Sequence, residues 1–288
     1  MIILLKLLQF IFGIIFRLPA PHALHLMRLA GEITYRIARL TPAKKMVIKN
    51  MQAILPGRDF GPPADQLLRN VAYSVFEMLC VPFFQETHFN SVCKINGLEN
   101  VDLALSRRKG AVIVSMHTGN YELMPIALSS RGYTVNSVMK APKEPLFEFL
   151  KPIRSCKGTK LINVLEADMY RETLKALGDN ELVCLGVDTG ALEGRHETIP
   201  FLGRSLPAAT GWLTLAQRSE AAIVPVQVKR ENGKMVISFS EPLNLYRDNR
   251  EEIMYRVKQF FENFIKNHPE QWLMFLNEYE TKRMVEGK

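Results

Sequence analysis

Cysteine is scarce in this 288-residue chain, and Cys80, Cys93, Cys156 and Cys184 show no paired spacing of the kind that holds a metal. A chain this long builds a core without disulfides, so four scattered thiols fit a reducing cytoplasm. Aromatic residues make up 9% of the chain and nowhere interleave with arginine in a compact motif, so no nucleic-acid partner is indicated. Internal repeats and low-complexity tracts are missing. Long apolar runs are missing too, apart from the first sixteen residues, which excludes a multi-span membrane protein. Acidic residues are almost absent from residues 1–50, where Glu32 stands alone against eight lysines and arginines, so this segment supplies +7 of the formal +8.

What is present is 47% apolar and 23% charged residues, the balance of a packed globular core with one domain or at most two. The opening MIILLKLLQFIFGIIF is interrupted by Lys6 and Gln9, and at 16 to 18 residues it lies at the lower limit for spanning hydrocarbon. It spans or lies in the interface; the basic residues that follow it place the rest of the chain on the cytoplasmic side. A cleaved signal peptide fits less well, because the charged n-region is nearly missing. Ala23 to Leu40 carries Leu26, Leu29, Ile33, Ile37 and Leu40 at helical spacing with Arg28, Glu32, Arg36 and Arg39 between them, an amphipathic helix resting on the membrane or on the domain. Basic charge beside an apolar run suits an anionic lipid surface. The break at residues 56–63 then divides the chain into an anchor helix at 1–18, a basic amphipathic region at 19–62 and a domain at 63–288, opened by a helix near Asp65 to Phe84.

From residue 94 short β-rich runs (Ala111–Met116, Thr134–Met139, Lys160–Ile162, Leu182–Val187, Ala222–Val228, Met235–Phe239) alternate with helical stretches such as Tyr121–Arg131, Ala167–Leu177 and Thr210–Ser219. This predicts an α/β fold, a mostly parallel or mixed central sheet with helices on both faces. A last helix from about Glu251 to Asn267, capped by Asp248 or Asn249, packs Ile253, Val257, Phe260, Phe261 and Phe264 on the sheet.

One strand of valine and isoleucine feeds directly into His117-Thr118-Gly119-Asn120-Tyr121-Glu122. That puts His117 at a strand end, where α/β enzymes place chemistry. Asn120 is a suitable helix cap, which would set Glu122 in the first helical turn, favoured by the dipole and able to fold back to the imidazole. A carboxylate accepting one ring N–H leaves the other nitrogen to take a proton from a hydroxyl. Gly119, which permits close backbone approach, and Asn120 are candidate substrate contacts, and backbone N–H groups of the turn offer an oxyanion site. The same spacing also suits a hydrogen-bonded core histidine and an ordinary first-turn acid.

A histidine, four residues and an acid at such a strand end resemble the active-site motif of glycerolipid and lipid A acyltransferases, and residues 117–122 are most similar to the lauroyl/myristoyl branch of lipid A biosynthesis. Similar runs follow in order: Lys49-Asn50-Met51, Gly186-Val187-Asp188, Pro200-Phe201-Leu202-Gly203, Ala209-Thr210-Gly211 and His268-Pro269-Glu270-Gln271-Trp272. The resemblance implies a membrane anchor and an α/β domain on the cytoplasmic face of a bacterial inner membrane. It implies acyl transfer from acyl carrier protein or acyl-CoA to the hydroxyl of a lipid acceptor, without metal or redox cofactor. It casts His117 as base and Glu122 as its partner, and puts Arg154 and Asp188 near the substrate. Met139-Lys140-Ala141-Pro142-Lys143 departs from the family's usual Tyr-Arg-Pro, and the segment after Trp272 departs from its usual aromatic and basic tail.

Lys140, Lys143, Arg154 and Lys157 lie in loops that could converge near the site mouth on a carrier's acidic helix or a coenzyme A phosphate. Asp188 and Arg195 belong to a loop suited to a substrate site, or they cap a turn and face solvent. Pro200–Gly203 reads as hydrophobic loop packing ahead of an acyl-chain wall. A lysophospholipid or other glycolipid acyltransferase uses the same base; a membrane lipid-binding protein without catalysis is the reading from a different class.

Overall fold

The computed structural model describes residues 2–188, 196–244 and 249–286, and of residues 196, 198 and 205–207 the backbone alone. Among these residues the strands are β1 (Cys93–Asn96), β2 (Ala111–Ser115), β3 (Val135–Met139), β4 (Lys160–Asn163), β5 (Leu182–Gly186), β6 (His196–Phe201), β7 (Arg204–Ala209), β8 (Ala222–Glu231) and β9 (Lys234–Phe239). Seven of them form one sheet in the order β1-β9-β8-β2-β5-β3-β4. Every neighbouring pair is parallel except the β8–β9 hairpin. β6 and β7 make a separate antiparallel hairpin. The α/β reading with helices on both faces therefore holds, while β1 and the β6–β7 pair had no alternating apolar signal strong enough to announce them.

β2 sits at the centre and is buried along its whole length. Its alternate side chains enter two different cores, as a strand's period of two requires. Val112 and Val114 pack with Trp212, Phe261 and Trp272 on one face. Ala111 and Ile113 pack with Phe89, Leu123 and Ile126 on the other. The last long helix, Arg250–Asn267, is capped by Asn249, whose side chain accepts the Glu252 N–H at 2.7 Å, and it buries Ile253, Val257, Phe261 and Phe264 on the first face.

The N-terminal expectation needs correction. No described helix is long and apolar enough to cross a membrane. The first helix, Ile2–Ile15, is only 14 residues, about 21 Å at 1.5 Å per residue, and one side of it packs on the domain. Phe12 is buried, with its ring 5.6 Å from that of Phe76 on the helix Gly61–Cys80. The other side leaves Ile3, Leu7, Phe10 and Ile14 exposed. The helix Ala20–Arg39 does likewise: Leu24, Met27 and Tyr35 face the protein, and the stripe Leu26, Leu29, Ile33 and Ile37 faces outward rather than resting on the domain.

Candidate active site

The register of two parallel strands builds the site. Ser115 of β2 lies opposite Gly186 of β5, and the Val187 N–H continues the ladder to the Ser115 carbonyl at 2.9 Å. Residues 117 and 188, each two positions past that pair, therefore emerge side by side at the carboxyl edge of the sheet. His117 Nδ1 is 2.7 Å from Asp188 Oδ1, and the His117 backbone N–H donates to Asp188 Oδ2 at 3.0 Å. The indole N–H of Trp272 donates to the same Oδ2 at 2.8 Å. An ionised carboxylate only accepts, so Nδ1 carries the proton and Nε2 keeps its lone pair.

Burial opposes charge on the His117 imidazole, but the Asp188 carboxylate more than reverses this and the pKa stands above the ordinary 6.5. Burial likewise works against the Asp188 carboxylate, yet the imidazole, the indole and the backbone N–H hold its pKa below 3.8. The side chain of Asp188 is 1% exposed and that of His117 27%, so the carboxylate is sealed behind an imidazole that reaches the cleft.

Glu122 does not fold back to His117. The helix begins later than expected, at Leu123 with Glu122 as its cap residue, because Asn120 offers no side-chain cap and turns away instead. Both Glu122 oxygens go to Arg154: Oε2 accepts Nε–H at 2.6 Å and Oε1 accepts from Nη2. The Tyr121 hydroxyl donates to Glu122 Oε1 at 3.1 Å, while its ring stands edge-on to the imidazole with centroids 4.5 Å apart. Burial pushes the Arg154 guanidinium toward neutrality, but the Glu122 carboxylate overrides it and raises its pKa. Burial and the same carboxylate push the Tyr121 phenol well above 10.

His117, Tyr121, Glu122, Lys140 and Arg154 line one cleft of about 1650 Å³. Its wall is largely apolar, with Met139, Phe147, Val164, Leu165, Met169 and Leu185 among its residues. Gly119 and Asn120, expected at the substrate, are buried behind it. Gly119 has φ +55°, and a Cβ there would lie 2.9 Å from the Val228 carbonyl oxygen, so its freedom serves the packing of the turn on β8. The Asn120 amide donates to Glu77 Oε2 at 2.9 Å. Lys157 donates to the Pro82 carbonyl at 3.2 Å and takes no part in the cleft wall, so the four-residue basic patch reduces to Lys140 and Arg154 there. Phe201 and Leu202 are buried in the core as loop packing. Arg195 lies outside the described residues. Asp188 is the partner that spacing in sequence could not reveal, because it lies 71 residues from His117. Trp272 stood in a run already singled out, and its signal was an indole N–H in an otherwise apolar stretch.

The model of the bacterial lipid A biosynthesis acyltransferase family matches residues 2–281. The chain belongs to that family. It is 25% identical over 183 residues to a phosphatidylinositol mannoside acyltransferase of Mycobacterium tuberculosis, a match covering 62% of this chain and 58% of the relative. It is 21% identical over 222 residues to a lipid A biosynthesis acyltransferase of Haemophilus influenzae, covering 76% of this chain and 69% of that one. The match thus spans under two thirds of the mycobacterial relative's length. Among solved structures, the 1-acyl-sn-glycerophosphate acyltransferase of Thermotoga maritima aligns over 83% of this chain and 99% of its own at 15% identity, with a TM-score of 0.41.

Proposed function

We propose that this family member is a membrane-bound O-acyltransferase that moves a fatty acyl chain from a thioester to a hydroxyl of a lipid A-type or other glycolipid acceptor. The observation that carries the proposal is the Asp188–His117 pair, with its free nitrogen at the edge of an apolar-walled cleft of about 1650 Å³. His117 Nε2 takes the proton of the acceptor hydroxyl as its oxygen bonds to the thioester carbonyl carbon. The tetrahedral oxyanion then collapses, the carbon–sulfur bond breaks, and the leaving thiolate takes the proton from the imidazolium. Asp188 holds the tautomer and stabilises the transient imidazolium. Glu122 acts through Arg154, fixing its guanidinium in the cleft as a donor to the oxyanion or to a phosphate.

The surface supports an interfacial setting. Of twenty large apolar side chains exposed among the described residues, twelve precede residue 41, ten of them on two adjacent helices and Leu18 and Leu40 just past the helix ends, with Arg28, Arg36, Arg39 and Lys45 exposed in the same segment. Such a plate buries apolar area in a leaflet while its cations meet anionic headgroups, and we place the catalytic face toward the cytoplasmic side of a bacterial inner membrane. Lys140, at the cleft wall, meets the acidic carrier protein or the coenzyme A phosphates.

The test is transfer of labelled acyl groups from acyl carrier protein and from coenzyme A to a lipid A precursor and to a lysophospholipid, by purified protein on vesicles. Transfer to the glycolipid that disappears in His117→Ala supports the reading. Preference for the lysophospholipid would replace the acceptor, and no transfer to either acceptor from either donor would remove the reading.

A further inference from the structure

We propose that Glu77 and Arg230 are positioning residues, which aim His117 through a closed buried ring that includes Asn120 and Gln271; the inference rests on His117 being the base. The ring draws on four elements distant in sequence. From the helix Gly61–Cys80, Glu77 accepts Arg230 Nη1–H at 2.6 Å and Nη2–H at 2.7 Å. Arg230, on β8, has both backbone groups bound by the Gln271 side chain: its N–H donates to Oε1 at 2.8 Å and its carbonyl accepts from Nε2 at 3.2 Å. Gln271 in turn offers its carbonyl to the Gly119 N–H at 2.8 Å. Asn120 closes the ring with its 2.9 Å bond to Glu77.

The four residues hold the turn that presents the base. His117 itself is tied at its carbonyl by the Leu273 N–H at 2.8 Å, on the other side of the Thr118–Trp272 bridge from the Gln271 contact. None of the four lines the cleft. All four are buried, and the side chains of Glu77 and Arg230 are each 4% exposed. A buried ion pair is weak support for stability, since apolar packing of equal volume often does as well. Its value here is directional: the carboxylate is the only partner of the Asn120 amide among the described hydrogen bonds, and it can serve that amide only while Arg230 fixes it.

The experiment compares Asn120→Ala, Asn120→Asp and the double variant Asn120→Asp/Glu77→Gln. The single aspartate sets two carboxylates against each other, whereas the double restores a hydrogen bond of inverted polarity and the original net charge. Expected are a kcat reduced at least about tenfold in both single variants with KM within about twofold, substantial recovery of kcat in the double, and faster amide hydrogen exchange confined to residues 117–123 in the singles. Unchanged exchange in that segment, loss of protection spread evenly over the protein, or kcat untouched by Asn120→Ala in an enzyme that His117→Ala inactivates would each overturn the proposal. If His117→Ala keeps its turnover, the failing claim is the base, and the exchange pattern and its recovery in the double variant then decide whether the ring holds the turn.

Discussion

Gly186 and His117 share a space that holds only one side chain: a Cβ at position 186 would lie 2.9 Å from the imidazole Cε1 and 3.4 Å from Nδ1. The strand ladder puts 186 beside 115, so the imidazole, two residues past Ser115, leans over the glycine to reach Asp188.

Gly186→Ala is therefore expected to keep the fold and displace the ring. Small overpacking of this kind costs about 1–3 kcal/mol, while a shift of the base by a fraction of an ångström costs roughly 10- to 100-fold in kcat. Thermal unfolding beside acyl-transfer kinetics checks both, and a Gly186→Ala enzyme with wild-type kcat would show that the ring has room the geometry denies it.

A pH dependence follows from Asp188 standing behind His117, the proposed base. Burial lowers the pKa of His117 and Asp188 raises it to a net value above 6.5, so wild-type kcat/KM rises with pH through a midpoint above 6.5 as the imidazole loses its proton. In Asp188→Asn the largest of the charges that raise the pKa is gone while burial remains, so the midpoint moves downward. The plateau falls about 10² to 10⁴-fold, because the tautomer is no longer fixed. Stability carries the opposite sign: a raised folded pKa favours the native state fully below the unfolded value of about 6.5, and this contribution is lost as pH rises through the folded pKa. Denaturation of the wild type and Asp188→Asn should accordingly differ more at pH 5.5 than at pH 9.

The fold was legible in the alternation of β-rich and helical runs, because a sheet buried on both faces needs continuous apolar strands such as Ala111–Ser115. His117 was legible for the same reason, standing where such a run stops. Its partner was not: Glu122 is near in sequence, but the helix starts only at Leu123 and Arg154 engages both its oxygens, while Asp188 arrives through strand pairing. Glu77 and Arg230 were invisible because a charged residue in an amphipathic helix or strand ordinarily faces solvent, and only the tertiary arrangement shows these two facing each other. The first helix was overread as a possible span, since its apolar circumference is divided between a core contact at Phe12 and an exposed face.

That division makes point variants more informative than truncation, which would strip the cover from Phe76. Ile3→Ser, Leu7→Ser and Phe10→Ser together remove apolar surface only from the exposed side. With roughly 1.5–3 kcal/mol for each fully buried side chain, even partial insertion predicts a loss of at least about tenfold in partitioning to anionic vesicles. The remaining binding should fall further with added salt, because Arg28, Arg36, Arg39 and Lys45 stay in place. Flotation of wild type and triple variant on vesicles at low and high salt measures this, and equal flotation of the two would move the membrane contact elsewhere.

The Glu122–Arg154 pair separates two accounts of the motif acid. Were Glu122 the partner of the imidazole, removing it would move the titration of His117 and leave Arg154 free to act. In the structure Glu122 touches Arg154 and Tyr121, and Asp188 touches His117. Glu122→Gln and Arg154→Ala should then impair the same step, and the double variant should be little worse than the more damaged single, since each loses one fixed guanidinium in the cleft. A loss of roughly 10- to 10³-fold in kcat is expected if that guanidinium faces the oxyanion, and a raised KM with preserved kcat if it grips a phosphate of donor or acceptor. Glu122 and Arg154 act on the His117 titration in opposite senses and each less than Asp188, so the acid limb of the pH profile moves less in Glu122→Gln or Arg154→Ala than in Asp188→Asn. Multiplicative losses in the double variant, with the acid limb displaced by Glu122→Gln as far as by Asp188→Asn, would return Glu122 to the imidazole and leave Arg154 as an independent contact.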